Sequence, residues 1–253
     1  MAAVAPAEPA RPTPRGVARS WSILSAMRRE QVDPVRAYTL LGLDTADLLA
    51  ERVELDGARI VDVGGGPGYV AEALRARGAD AFTIDAELAE LSLHGRTPHD
   101  AVVADGRVLP IADDALDAAC TLNAIEHVAD PWAFLAELVR VVRPGGTVFV
   151  GVTNWLSPWG GHETSPWHLL GGEHAARRYL RRHGHEPKNR FGTTMYAVTA
   201  SEGLRWAAHA PGARLEAAVP RYLPGWAAPI VRVPGLREVA VWNLALVLRV
   251  ESP

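Results

Sequence analysis

Apolar and polar residues change their spacing along the chain near residue 58. Before that point, the segments SWSILSAMRREQ (20–31) and DTADLLAERVEL (44–55) repeat apolar residues at helical spacing. Candidate N-caps stand at the start of each segment: Ser20 or Ser22 in the first, and Asp44 or Thr45 in the second. The pattern predicts two helices that each pack an apolar face on a core.

After residue 58, short apolar runs alternate with amphipathic stretches. The predicted strands are ARIVDV (58–63), DAFTID (80–85), AVVAD (101–105), LDAACTLNAI (116–125), GTVFVGVTN (146–154), ARLEAAV (213–219) and VAVWNLALVLRV (239–250). The predicted helices between them are GYVAEALRARG (68–78), PWAFLAELVRVV (131–142) and TASEGLRWAAHA (199–210). This alternation predicts an α/β fold, with a Rossmann-like, mostly parallel sheet and helices on both faces.

The same pattern, together with local composition, divides the chain into five parts. Residues 1–16, rich in Pro, Ala and Arg, are expected to form a disordered tail, because they cannot bury a core. A helical cap (17–55) precedes the core (56–153). A substrate or lid insertion rich in Trp, Gly, Pro and His (154–198) follows, and residues 199–253 return to the core.

Composition narrows the classes of function. The 253 residues carry a formal net charge of -3, which argues against a general nucleic-acid binder. The single cysteine, Cys120, excludes a disulfide framework and fits a reducing compartment. The N-terminus lacks the continuous apolar region of a secretory signal, and no apolar run is long enough to span a membrane. We therefore expect a cytoplasmic protein.

A glycine-rich loop, VDVGGGPGYV (61–70), follows the first predicted strand. It is not a P-loop, because no Lys-Ser/Thr pair follows the glycines. It is not the usual dinucleotide loop either, because Tyr69 stands where that pattern needs glycine. What remains is an acid followed by alternating glycines: Asp62, Gly64, Gly66 and Gly68.

With four further motifs in order, the sequence resembles the class I S-adenosylmethionine-dependent methyltransferases, in the small-molecule branch that includes ubiquinone- and menaquinone-type enzymes. These motifs are TID, which ends at Asp85, ADGRVLPIADDALD (104–117), NAIEHV (123–128) and RPGG (143–146). The resemblance is good from residue 56 to residue 153 and looser over the C-terminal strands. It implies a seven-stranded sheet whose last strand runs antiparallel to its neighbours.

The resemblance also implies a cofactor, S-adenosylmethionine, with S-adenosylhomocysteine as product. Gly64, Gly65 and Gly66 would let the backbone approach the amino-acid part of the cofactor. Asp62 would orient this loop or receive the ammonium group, and Asp85 would accept both ribose hydroxyls. These residues all lie where ligands of open α/β sheets bind, beyond the carboxyl ends of the strands.

The third and fourth strands complete the implied cofactor site. Asp105 with Gly106 suits the edge of the adenine ring, because the carboxylate can accept a hydrogen bond from the exocyclic amine. Asn123, just past the fourth strand, would face the transferred methyl group. Alone, the glycines could form only a turn and Asp85 could simply cap a helix, but together the motifs favour the cofactor site.

Methyl transfer from a sulfonium needs alignment more than it needs a metal, and a hydroxyl acceptor is helped by a base. Histidines are the candidate bases: His127, His162 and His168. His127 could instead be structural, and the other two could only order their loop. A metal bound by His162, Glu163 and His168 is disfavoured, because the spacing fits no common pattern and Pro166 intervenes, so no metal is predicted.

The insertion is where the acceptor is expected to bind. Three tryptophans could pack the lid or offer an aromatic surface to an apolar or sugar-ring acceptor: Trp155, Trp159 and Trp167. Basic residues follow and could be a solvated face, a dock for a phosphate-bearing acceptor or a contact with an anionic membrane: Arg177, Arg178, Arg181, Arg182, Lys188 and Arg190. Segment 222–239 could be an interfacial patch or a wall of the pocket.

A small-molecule methyltransferase is therefore the expected function, with a hydroxyl of a natural product, lipid-linked or sugar-containing metabolite as acceptor. An N- or C-methyltransferase on the same fold and a non-catalytic S-adenosylmethionine-binding protein are the alternatives. A nucleic-acid substrate is disfavoured, because NAIEHV replaces the N/D-P-P-Y type of motif. Four side chains belong to a cap that is expected to close over the cofactor: Trp21, Arg28, Arg29 and Tyr38.

Overall fold

A computed structural model describes residues 16–30, 32–96 and 98–252. The predicted tail lies outside the described residues, except that Gly16 already belongs to the first helix. Seven strands form one sheet: β1 (Arg59–Val63), β2 (Asp80–Asp85), β3 (Ala101–Val103), β4 (Leu116–Leu122), β5 (Val142–Thr153), β6 (Ala213–Pro220) and β7 (Asn243–Val250).

The strand order is β3-β2-β1-β4-β5-β7-β6. Neighbours from β3 to β5 pair in parallel, whereas β7 is antiparallel to both β5 and β6. This confirms the predicted α/β class and the antiparallel last strand. β7 is shorter than predicted because residues Leu236–Ala240 form a helix, and β5 begins earlier, at Val142.

Helices cover both faces of the sheet: α1 (Gly16–Met27), α2 (Pro34–Ala50), α3 (Tyr69–Arg75), α4 (Leu88–Leu91), α5 (Pro131–Val141), α6 (Gly172–His183), α7 (Ala200–Ala207) and α8 (Leu236–Ala240). One apolar core lies under α5 and α7, and a second lies under α2 and α3. Central strands are buried on both faces, which explains why they are continuous apolar runs. None of the described helices combines the length and apolar character needed to cross a bilayer.

The predicted starts of the first two helices were wrong. Ser20 is buried in the middle of α1, and Ser22 also lies within that helix. Asp33 caps α2 by accepting a hydrogen bond from the Arg36 N–H, and Pro34 fixes the first helical residue. The caps predicted for this helix therefore lie inside it: Asp44 and Thr45.

Candidate functional site

The glycine loop joins β1 to α3 at the carboxyl edge of the sheet. Three of its glycines have φ angles that other residues rarely adopt: 73° at Gly64, 48° at Gly66 and 75° at Gly68. A Cβ on Gly64 would collide with the Cβ of Ala124, whereas one on Gly66 would have no neighbour closer than 3.7 Å. Gly66 is therefore required by backbone conformation, and it leaves open space beside the loop.

The buried side chain of Asp62 packs against this loop at Gly65. A Cβ on Gly65 would collide with the Asp62 carboxylate and with the Thr83 hydroxyl, so only glycine fits there. Asp62 is 1% exposed; its Oδ1 lies 3.6 Å from the Cys120 thiol, and its Oδ2 has no hydrogen-bond partner among the described residues. Burial raises the pKa of Asp62 to about 7, although the bond from Cys120 opposes this shift.

Asp85 ties the end of β2 to the same loop. Its Oδ2 accepts a hydrogen bond of 3.1 Å from the Gly66 N–H, and its Oδ1 accepts one of 3.2 Å from the Glu87 N–H. Partial burial raises the pKa of Asp85, and these backbone bonds counteract the shift. The carboxylate is therefore fixed at the carboxyl edge, next to the open side of Gly66.

Asp105 and Gly106 follow β3 and differ in role. Asp105 is half exposed and pairs with Arg107 at 2.7 Å, and this bond lowers the pKa of Asp105. A Cβ on Gly106 would collide with the Phe134 ring on α5. Packing alone thus accounts for Gly106, whereas Asp105 presents a charged group at the edge of the site.

Asn123 directly follows β4 and has a left-handed conformation, with φ 52°. Its side-chain Oδ1 accepts hydrogen bonds from Asn243 Nδ2 at 2.8 Å and from Thr153 Oγ1 at 3.3 Å. The residue after it, Ala124, presses on Gly64. Asn123 is thereby held between the glycine loop and the end of β5.

Beyond Asn123, a short helical turn (Ile125–His127) and the insertion bring three titratable side chains together: Glu126, His127 and His162. Their potential ligand atoms all lie within 4.8 Å of one another. His162 Nε2 is 3.9 Å from Glu126 Oε1, and the two histidine rings meet edge-to-face with centroids 5.1 Å apart. His127 Nδ1 bonds the Thr194 carbonyl at 2.8 Å, which leaves its Nε2 for other contacts.

Glu126 is the most unusual member of this cluster. It is 2% exposed, and neither of its oxygens has a well-formed hydrogen bond from the described residues, although Thr153 lies close enough to favour the ionised form. Burial raises the pKa of Glu126 and lowers that of His162 to about 4. At neutral pH, His162 is therefore an uncharged hydrogen-bonding group beside a buried carboxyl.

His168, also a predicted candidate base, is not part of this cluster's contacts. It is 1% exposed, and its Nε2 bonds the carbonyls of Trp155 at 2.9 Å and Ser157 at 3.1 Å. These bonds anchor the insertion to the segment after β5, which is the structural role that the sequence left open. The Glu163 carboxylate also has a structural role, because it accepts two hydrogen bonds of 2.8 Å from Asn189.

Two of the insertion's three tryptophans pack against other rings, whereas Trp167 is 39% exposed. Trp155 contacts the rings of His168 and Phe191, and Trp159 meets Trp242 edge-to-face at 4.8 Å. In the cap, Tyr38 stacks on Tyr69, with centroids 5.9 Å apart, and donates a bond of 2.5 Å to Glu30. Other cap residues face solvent: Trp21, Arg28 and Arg29.

Two residues of this region were missed by the sequence analysis. Glu126 stands beside His127 in NAIEHV, and its position in a mostly apolar stretch was the available signal. Arg221, just past β6, is completely buried and lies 3.6 Å from Asp44, while it donates a bond of 2.6 Å to Thr45 Oγ1. Nothing in the sequence marks Arg221 as buried.

Known proteins resemble this chain over most of its length. Residues 61–150 match the family described as a methyltransferase domain. A protein of Mycolicibacterium vanbaalenii named as an uncharacterized methyltransferase is 45% identical over 243 residues, which cover 92% of this chain and 94% of that protein. A protein of Mycobacterium marinum with the same name is 46% identical over 242 residues, with the same coverage.

Solved structures share the fold. An S-adenosylmethionine-dependent methyltransferase from Mesorhizobium loti has a TM-score of 0.55 at 20% identity, and the match covers 82% of this chain and 97% of that one. A TehB-like S-adenosylmethionine-dependent methyltransferase from Corynebacterium glutamicum has a TM-score of 0.53 at 17% identity, with 92% and 99% covered. At these identities the likeness supports the fold alone.

Proposed function

The chain belongs to the methyltransferase domain family, a family of S-adenosylmethionine-dependent enzymes, and from this premise we propose that it methylates a hydroxyl oxygen of a small molecule. The observation that carries the proposal is Glu126, a buried carboxyl without a well-formed hydrogen bond that stands next to His162 and close to Asn123. A hydroxyl that enters this cluster would find acceptors for its proton.

The residues at the carboxyl edge fit the cofactor. Gly66 adopts a glycine conformation with free space beside it, and the nearby carboxylates are acceptors that suit hydroxyl and amine donors. In the proposed arrangement, Asp85 binds the ribose, Asp105 faces the adenine, and Asp62 with the glycines holds the methionine side. When bound, the cofactor supplies a methyl group on a positively charged sulfur.

The chain's own residues would align the acceptor and take its proton. Asn123, fixed by Asn243 and Thr153, would hold the space in which donor and acceptor meet. His127, oriented by its bond to the Thr194 carbonyl, and uncharged His162 would accept or donate hydrogen bonds to the acceptor. Glu126 would receive the hydroxyl proton, because burial raises its pKa toward that of an efficient base.

An N-methyltransferase is the second candidate, and the same carboxyl favours it. A buried carboxylate could equally pair with an amine acceptor and remove its proton. Oxygen remains the first proposal because a hydroxyl acceptor must give up its proton, and Glu126 beside uncharged His162 offers acceptors for that proton.

The decisive experiment is to incubate the protein with methyl-labelled S-adenosylmethionine and an extract of Mycobacterium marinum, which contains a relative 46% identical to this chain. We expect a labelled product whose mass spectrum identifies a methyl ether, whereas a methyl ester would indicate a carboxyl acceptor instead of the proposed hydroxyl. A labelled N-methyl or C-methyl product would contradict the oxygen acceptor. A parallel reaction with a chelator tests whether the Glu126 cluster needs a metal, and we expect unchanged product.

A further inference from the structure

The insertion carries a basic surface on a chain that is acidic overall. Segment 171–190, which contains α6, has six basic side chains and two acidic ones, whereas the whole chain has a net charge of -3. Arg181 and Arg182 are exposed and form no ion pair with any described residue. Two positive charges are thus free at the end of this helix.

An apolar tip precedes the basic helix. We define the tip as Trp167–Leu170, the short turn that packs on α6. Its leucines point into solvent, with Leu169 49% and Leu170 70% exposed. The Arg178 guanidinium lies over the Trp167 ring at 3.8 Å, so the tip and the basic helix form one continuous surface.

A small cavity of about 80 Å³ opens on this surface, and its lining includes Arg178, Arg182 and His183. Glu163 also lines it, but its carboxylate accepts two hydrogen bonds from Asn189. Two guanidinium groups in one notch suit the oxygens of a phosphate, because arginine binds such groups through paired N–H donors. Exposed leucines do not suit a free anion. The combination matches a ligand that is both anionic and apolar.

The surface borders the candidate site. His162 belongs to the same insertion, five residues before the tip, and His168 within the tip bonds the carbonyls of Trp155 and Ser157, just past β5. The tip therefore projects from the carboxyl edge of the sheet, where Asn123 and Glu126 lie.

We propose that the apolar tip and the basic helix dock the protein on an anionic phospholipid bilayer. Leu169 and Leu170 would enter the boundary between headgroups and acyl chains, while Arg181 and Arg182 contact lipid phosphates. Because the rest of the chain is acidic, an anionic surface would attract this face and repel the others. If the proposed function holds, docking would present the site to a hydroxyl acceptor embedded in lipid.

The test is co-sedimentation of the full chain with phosphatidylcholine vesicles that contain or lack phosphatidylglycerol. We expect binding to the anionic vesicles alone. The double variant R181Q/R182Q should weaken that binding roughly 10- to 30-fold, since each basic residue near the surface contributes about 1 kcal/mol. L169S/L170S should also weaken it, whereas the matched double variant R52Q/R205Q, which removes two exposed charges outside the insertion, should not.

Three outcomes would overturn the docking. These are equal binding to both kinds of vesicle, no binding to either, or displacement of the protein from vesicles by inorganic phosphate at constant ionic strength. The last would mean that the notch binds a free anion instead. The assay contains neither donor nor acceptor, so its failure leaves the proposed function untouched, and failure of methyl transfer leaves the docking result intact.

Discussion

Glu126 combines burial with two carboxylate oxygens that lack well-formed hydrogen bonds from the described residues. Such a group costs stability, and groups of this kind are concentrated at functional sites. We predict that Glu126→Gln, which keeps the size of the side chain but cannot take a proton, lowers methyl incorporation about 100-fold or more. Affinity for S-adenosylhomocysteine, measured by calorimetry, should stay the same. Glu173→Gln, at an exposed position on α6, is the control and should keep full activity. Full activity in Glu126→Gln would rule out Glu126 as the base.

Asp62 gives a prediction about pH. The folded chain holds the Asp62 proton up to a pKa of about 7, against 3.8 for an ordinary aspartate, so this group's contribution to stability is present below about pH 3.8 and is lost as the pH rises through 7. Asp62→Asn cannot ionise. Urea unfolding at pH 8 should therefore show the variant to be more stable than the parent by about 2–4 kcal/mol.

At pH 5, the advantage of Asp62→Asn should be smaller, because the folded parent protein then keeps its proton. The same variant should bind S-adenosylhomocysteine more weakly, since the carboxylate supports the glycine loop and faces the methionine side of the proposed site. An equal stability difference at both pH values would contradict the raised pKa of Asp62.

At the scale of elements, Asp44 joins three segments of the chain. Its carboxylate pairs with Arg19 on α1 and lies 3.6 Å from Arg221, while it belongs to α2. Asp44→Asn would leave two guanidinium groups without their anion in a buried place, so we predict a loss of about 3–5 kcal/mol in the free energy of unfolding. Urea titration measures this loss.

The control for Asp44 lies on the same helix. Asp47 pairs with Arg77, but its side chain is 40% exposed, so Asp47→Asn should cost less than about 1 kcal/mol. If the two variants lost the same stability, the link through Asp44 would not be what holds the cap to the rest of the protein.

Asp44 also shows why the cap was harder to predict than the sheet. Near a helix start, an aspartate usually caps, and nothing local distinguishes it from an aspartate that pairs inside a helix. The actual cap has a local signal, Asp33 followed by Pro34, but the helical spacing of apolar residues is more regular further along the chain. The central strands, in contrast, were marked by apolar runs that depend little on distant partners.

At the scale of the whole molecule, order along the chain was enough to predict the class of fold, because alternating strands and helices allow few sheet topologies. Local motifs likewise predicted that the glycine loop follows the first strand and that Asp85 ends the second. Glu126 and His162 could not be paired in advance, because their contact depends on how the insertion folds back over the end of β4. The same holds for Arg221, whose partners lie on α2.

The donor site is best tested through the stability of the whole chain. A ligand that binds only the folded state raises its stability by about 2.7 kcal/mol at 100 times the dissociation constant, so S-adenosylhomocysteine should raise the melting temperature in a concentration-dependent way.

Asp85→Asn should abolish most of this shift, because it removes a ribose acceptor and loosens the bond to the Gly66 N–H. Asp80→Asn is the matched control, since Asp80 is exposed at the opposite end of the same strand and should keep the full shift. A parent protein that shows neither a melting shift nor heat of binding would contradict the proposed cofactor site, and an unchanged shift in Asp85→Asn would contradict the role of Asp85 alone.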